Sequence, residues 1–135
     1  MMRSQVTALP YRYIGDTCEV LLVTSRRRGK WILPKGKIEA GETAAERAAT
    51  EAFEEGGVIG IIAKCSLHVT RSGDLSRPKV FPLEVIEERE SWPEMGERRR
   101  AWLPIADARD RLTSSSLRQA LDALVAQLAS ERRKR

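Results

Sequence analysis

Histidine, cysteine and aromatic residues are scarce in this chain, and each shortage closes off a class of function. The one histidine, His68, has no cysteine or histidine partners at ligand spacing, which excludes a zinc site; a strand position accounts for it. Two cysteines cannot build a disulfide framework, and with 41% hydrophobic residues available for a core none is needed. Cys18 and Cys65 lie in apolar, strand-like runs, so two buried thiols in a reducing cytoplasm are expected. Three tryptophans, two tyrosines and two phenylalanines, without a recognisable RNA module, speak against a dedicated RNA binder. No apolar run approaches the length of a membrane span, and the stretch from Met1 to Tyr13 lacks an apolar h-region. A cytoplasmic protein without a membrane partner is the expectation.

What the chain has in excess is positive charge. The net charge is +5 over 135 residues, and the cations are grouped. Arg26, Arg27, Arg28 and Lys30 precede Lys35 and Lys37, Arg98 to Arg100 form a second run, and Arg132 to Arg135 end the chain. Grouped cations suit nucleic acid or a small, highly phosphorylated ligand. The terminal run reads as a solvated, disordered tail, 131–135, after a single domain, 1–130.

Read in order, CEVLLVT (Cys18–Thr24) is apolar and β-branched, a buried strand, and RRRGK is a turn. Trp31 to Leu33 forms a short strand stopped by Pro34, and Lys35-Gly36-Lys37 is a glycine loop. From Thr43 the chain is rich in alanine and glutamate until Gly56-Gly57. That predicts a helix with Thr43 as N-cap, Glu46 at N3 and the glycine pair as its stop. VIGIIAKCSLHVT is strand-like, and Pro78 and Pro82 bracket another strand pattern in which Val80, Leu83, Val85 and Ile86 supply burial. Trp92 to Met95 is a loop, and Arg99 to Leu103 a strand ending at Pro104. The last helix, Ser114 to about Ser130, has an apolar stripe at Leu117, Leu121, Leu124, Val125 and Leu128. Strands with one helix in the middle and one at the end imply an α/β sandwich.

The chemistry is concentrated between Gly36 and Val58. Glu51, Glu54 and Glu55 stand at i, i+3 and i+4, on one face of the predicted helix, where like charges repel unless a cation lies between them. A glutamate-rich surface helix would produce the same triad. The wider pattern argues otherwise, because its six fixed positions coincide by chance about 10⁻⁷ times per window. Gly36, Glu42, Glu51, Glu54, Glu55, Gly57 and Val58 resemble the signature of the Nudix hydrolases, G-x5-E-x7-R-E-U-x-E-E-x-G-U, with U a bulky apolar residue. Ala52 is a small version of one apolar position, and Thr50 stands where the family has arginine.

The resemblance implies a Nudix fold, an α/β/α sandwich with a mixed sheet, and hydrolysis of a pyrophosphate bond. It implies a divalent cation, Mg2+ or Mn2+, which would neutralise phosphoryl charge and acidify a water. Glu51, Glu54 and Glu55 become the catalytic residues and, with the backbone carbonyl of Gly36, the metal ligands. Which glutamate is the base stays open, with Glu94 and Glu97 as further candidates. Glu42 is structural, pairing in the family with the arginine absent here. Arg47, one turn before Glu51, is placed to orient Glu51 in its stead.

WILPKGKIEAGE, with Trp31, Pro34 and Gly36, resembles the diphosphoinositol polyphosphate and diadenosine polyphosphate hydrolases of the family. So does the distal series Trp92, Gly96, Arg98, Arg99, Trp102, Asp107 and Ala108. That resemblance implies a polyphosphorylated small molecule, gripped by Arg26, Arg28, Lys35, Lys37, Arg98 and Arg99. The tryptophans read as partly buried structural residues rather than an adenine platform. The alternatives are a general nucleoside diphosphate-X hydrolase, an RNA 5′-pyrophosphohydrolase gripping its chain with the basic runs, and a non-catalytic nucleotide sensor.

Overall fold

A computed structural model describes residues 4–69 and 79–134. Its centre is a strand that the sequence hides. β1 (Gln5–Ile14) turns through Gly15, at φ 61°, into the antiparallel β2 (Thr17–Thr24). β1 escapes pattern reading because Pro10 interrupts it and because residues 6–10 are buried on both faces, so no alternation shows. β2 is the strand expected from CEVLLVT. Its side chains divide between the two faces: Val20 and Leu22 enter one core, Leu21 the other.

β3 (Trp31–Ile32) and β4 (Lys35–Lys37) form one extended segment. β3 pairs with the end of β2, and β4 pairs with the start of β1. The segment therefore wedges between β1 and β2 where they splay, and Ala8 N donates to Pro34 O at 2.8 Å. This wedge carries Gly36 into the middle of the sheet. α1 (Ala44–Gly56) follows, then β5 (Val58–Ile62) and β6 (Lys79–Glu88). β6 runs parallel to β1 and antiparallel to β5. β7 (Arg100–Pro104) pairs with the other side of β2, before α2 (Ile105–Arg111) and α3 (Ser115–Arg133). The sheet is mixed, with β5 and β7 at opposite edges. α1 packs Ala48 and Ala52 against Val6, Ala8, Leu21 and Phe81 on one face. α2 and α3 cover Leu9, Val20, Leu22 and Val80 on the other. This is the α/β/α sandwich.

Several expectations need correction. β5 stops at Ile62, so Cys65 and His68 lie outside any strand and are exposed, and Cys18 is only half-buried. Both cysteines are free. Pro82 lies inside β6 rather than bounding it, opposite Leu9; Pro78 and Thr70 fall outside the described residues. Ile86 is 70% exposed and is the residue skipped at the β-bulge where β6 pairs with β5 through Glu87–Ile59 and Val85–Gly60, and Val125 points outward from α3. α2 has a single buried residue, Ala108, too little to leave a periodic signature. α3 continues to Arg133, so residues 131–133 extend it instead of forming a tail; Arg132 and Arg133 complement the negative end of its dipole.

Candidate active site

α1 begins as the sequence predicts. Thr43 Oγ1 accepts from Glu46 N at 3.1 Å and Glu46 Oε1 accepts from Thr43 N at 2.7 Å, a complete capping box. Gly57, at φ 68°, closes the helix in the left-handed conformation. The buried residues of α1 are Ala48, Ala52, Gly56 and two glutamates, Glu51 and Glu55. Glu51 is 9% exposed and Glu55 3%; Glu54 is half-buried. A solvated helix face would leave these carboxylates in water. Their burial sets them apart from such a face.

Gly36 and Glu51 touch. A Cβ on Gly36 would stand 2.7 Å from Glu51 Cγ and nearer still to its carboxylate. Only glycine leaves room for that side chain to pass the wedge strand. Gly36→Ala is therefore expected to displace Glu51 and lower turnover about 10²-fold, the cost of an ångström-scale misplacement. Steady-state kinetics on a variant with native circular dichroism checks this.

Arg47 holds the other side of Glu51. Its Nη1 donates to Glu51 Oε2 at 2.9 Å, while Nε and Nη2 donate to the two oxygens of Glu42 at 2.6 and 3.1 Å. Glu39 adds an ion pair at 3.4 Å. Glu42 also accepts from Glu39 N at 2.6 Å. The bond from Arg47 holds the Glu42 carboxyl below its ordinary pKa, and Glu42 followed by Glu51 raises that of Arg47. The guanidinium missing at position 50 is supplied from one turn earlier. Thr50 instead bonds back to Glu46 O at 3.0 Å and lines an apolar hollow with Ala49, Phe53, Val58, Ile59, Gly60 and Leu83. That hollow, about 260 Å³, contains no ionisable side chain and lies apart from the carboxylates.

Glu55 sits deepest. Burial, then a hydrogen bond with Glu51, pushes its carboxyl well above the ordinary range, against the pull of Arg98. Its Oε1 is buried without a hydrogen-bond partner, and Arg98 Nη1 stands 3.8 Å away. Burial and the charge of Glu51 also raise Glu54. Glu94 joins them from the loop before β7: its N–H donates to Glu54 O at 3.0 Å, and its carboxylate accepts from Arg98 Nε at 2.7 Å. Glu97 instead meets Arg26 at 3.4 Å on the surface. Of the two alternative bases, Glu94 is the one beside the cluster.

The donor set, hard carboxylate oxygens with one orphaned at Glu55, fits a divalent cation. In this arrangement no three carboxylate, histidine or cysteine side chains among the described residues converge closely enough to enclose one. Glu51 is held toward Arg47, and an approaching cation would compete with that guanidinium for it.

The expected phosphate-gripping cations divide. Arg98 is an interior residue with its side chain 7% exposed, engaged by Glu94, Glu55 and Thr24 O; it positions carboxylates and is not available at the surface. Arg99 lies over the Trp31 ring at 5.5 Å, and Trp31 packs on the α2–α3 side of the sheet. Lys35 and Lys37 flank Gly36 along β4 and are exposed. Strand alternation sends their side chains to the face opposite the one where Gly36 meets Glu51. Arg26 and Arg28 stay exposed in the turn after β2. Trp92 and Trp102 are structural as expected, donating through Nε1 to Glu55 O and Glu88. The part played by Trp92 and Arg100 at the end of α1 carries no sequence signature, since each pairs with a backbone carbonyl some forty residues distant.

Residues 3–124 match the NUDIX domain family. The mitochondrial Nudix hydrolase 17 of Arabidopsis thaliana is 33% identical over 139 residues, covering 95% of this chain and 76% of that protein. Among solved structures, the Ap4A hydrolase of Caenorhabditis elegans superposes with a TM-score of 0.68 at 20% identity, covering 95% and 99% of the two chains. The NUDIX domain of Shewanella oneidensis NrtR, complexed with ADP ribose, gives 0.66 at 19% identity, covering 95% and 89%.

Proposed function

Because the chain belongs to the Nudix family and is a Nudix-type pyrophosphohydrolase, we propose that it cleaves a pyrophosphate bond in a polyphosphorylated small molecule. Diadenosine polyphosphate and diphosphoinositol polyphosphate are the substrates we favour. The observation that carries the hydrolytic reading is the buried pair Glu51 and Glu55, pressed between Gly36 and Arg98. The substrate class rests on the likeness in fold to an Ap4A hydrolase and on the exposed cations Arg26 and Arg28 in the turn after β2; Lys35, Lys37 and Arg99 face away from the carboxylates.

In this reading Glu51, Glu54 and Glu55, with the carbonyl of Gly36, would hold Mg2+ or Mn2+, and the cation would supply charge neutralisation at phosphoryl oxygens and a more acidic water. Glu55, whose carboxyl burial pushes up, has an Oε1 without a hydrogen-bond partner and would offer that oxygen to the cation. Glu51 is aimed by Arg47 from one side and by the bare backbone of Gly36 from the other. Which carboxylate serves as base stays open; Glu94, half-buried and paired with Arg98, is the candidate outside α1 that lies beside the cluster. Two free cysteines suit a reducing, cytoplasmic setting.

A general nucleoside diphosphate-X hydrolase is the second reading, supported by the fold shared with an ADP-ribose-bound NUDIX domain. One panel tests both: Mg2+-dependent release from diadenosine polyphosphates, a diphosphoinositol polyphosphate, ADP-ribose and 5′-triphosphate RNA, with Glu54→Gln as control. Turnover of the first two, lost in the variant, is expected. Preference for ADP-ribose would move the assignment to the second reading. Preference for RNA, with affinity falling steeply in salt, would overturn both. No turnover by a folded protein would leave a nucleotide sensor.

A further inference from the structure

α1 ends against its own electrostatics. Its last turn holds Glu54 and Glu55 and no basic residue, yet the C-terminus of a helix is the negative end of its dipole and disfavours carboxylates. Four carbonyls there also lack partners within the helix. Each finds one. Phe53 O accepts from Gly57 N at 2.9 Å and Glu54 O from Glu94 N at 3.0 Å. Glu55 O accepts from Trp92 Nε1 at 3.0 Å, and Gly56 O from Arg100 Nη1 at 3.0 Å. Three of the four donors come from the single segment 92–100.

That segment is itself locked. The Arg100 guanidinium lies 3.8 Å from the centre of the Trp92 ring and pairs with Glu88 at 3.5 Å. Gly57 leaves space for both: a Cβ there would approach Arg100 Nη1 to 2.7 Å and the Trp92 ring to 2.9 Å. The stacked pair thus fills the volume that the glycine vacates. The turn that brings Trp92 also brings Glu94 beside Glu54, through Met95 N donating to Trp92 O at 3.2 Å.

We propose that Trp92 and Arg100 are positioning residues, which fix the last turn of α1 from outside the helix and thereby set Glu54 and Glu55 in register with Glu94. Arg100 supplies the positive charge that the helix terminus lacks, and the Trp92 indole supplies a bond whose direction fixes the rotation of the last turn. Neither side chain contacts the carboxylates; both act through backbone carbonyls. The inference rests on the reading of Glu54 and Glu55 as the working carboxylates, so its test needs a readout independent of turnover.

Trp92→Phe keeps the ring beneath Arg100 and removes only the N–H donor; Arg100→Lys keeps the charge and removes the stacking plane. For each, residue-resolved amide hydrogen exchange in the metal-free protein is measured, with the amides of α3 as internal reference. Turnover is then split into kcat and KM on the best substrate of the panel. The expected result is exchange at least tenfold faster at residues 54–58 with α3 unchanged, and kcat reduced about tenfold with KM within twofold. Unchanged exchange at 54–58 would overturn the proposal. So would faster exchange spread evenly over the whole chain with kcat preserved, which describes general destabilisation. A rise in KM with kcat intact would place Trp92 against substrate and also overturn it. If the wild-type protein turns over nothing in the panel, the hydrolytic reading fails by that result, and the exchange data alone decide the positioning role.

Discussion

Glu55→Gln is expected to reduce turnover about 10³-fold and, in the metal-free protein, to raise stability at alkaline pH. The first effect follows from removing a carboxylate from a water-excluded site built around charge. The second follows from linkage. Burial and the hydrogen bond with Glu51 raise the Glu55 carboxyl to about 8, whereas in the unfolded chain it titrates near ~4.3. Between these values the folded protein holds a proton that the unfolded chain has released. Stability contributed at this position is therefore fullest below about pH 4.3 and is lost as pH rises through 8. Glutamine has no charge to bury, so the variant escapes the loss. Melting curves from pH 5 to 9 in chelator should show the wild-type Tm falling relative to Glu55→Gln, with the gap widest above pH 8. Mg2+ should close that gap by stabilising the wild type alone. A Tm gap that is flat across this range would mean that Glu55 is charged in the empty site.

The carboxylate triad was legible in sequence because its signal is local: one helix, one capping box and the two signature glycines, Gly36 and Gly57, within 23 residues. The same locality made Arg47 visible, since a partner at i+4 needs no knowledge of the fold. Legibility fails where partners are remote or burial is two-sided. β1 is central, but with Pro10 in its middle and both faces covered it shows neither alternation nor an unbroken apolar run. Arg98 reads as one cation in a basic run, and only the return of β7 alongside β2 turns it inward to Thr24 and Glu55. Lys35 and Lys37 have the right position in the chain for a phosphate grip. The strand conformation of the glycine loop sends them away from the face that Gly36 shares with Glu51. Charge in a sequence thus reported how many cations the region holds, while pleat and pairing decided which of them face the chemistry.

Arg47→Ala is expected to lower kcat/KM about 10²-fold, the second large effect. The side chain is only 12% exposed and joins Glu39, Glu42 and Glu51 at once, so truncation leaves three carboxylates facing one another. Glu51 and Glu42 should then repel, and the loop from Gly36 to Glu42 should lose its anchor on α1. The loss should fall mainly on kcat, with the Mg2+ concentration for half-maximal rate displaced, because Glu51 is misdirected rather than removed. Arg47→Lys keeps the charge but cannot donate to Glu42 and Glu51 through a planar fork, and should recover only part of the rate. The decisive variant moves the guanidinium: Arg47→Ala with Thr50→Arg restores the family's own arrangement and should regain at least tenfold of the loss. Kinetics of the three variants under an Mg2+ titration check this. An Arg47→Ala protein with native kcat and native Mg2+ dependence would show that Thr50 needs no compensation and that Glu51 is held by the wedge strand alone.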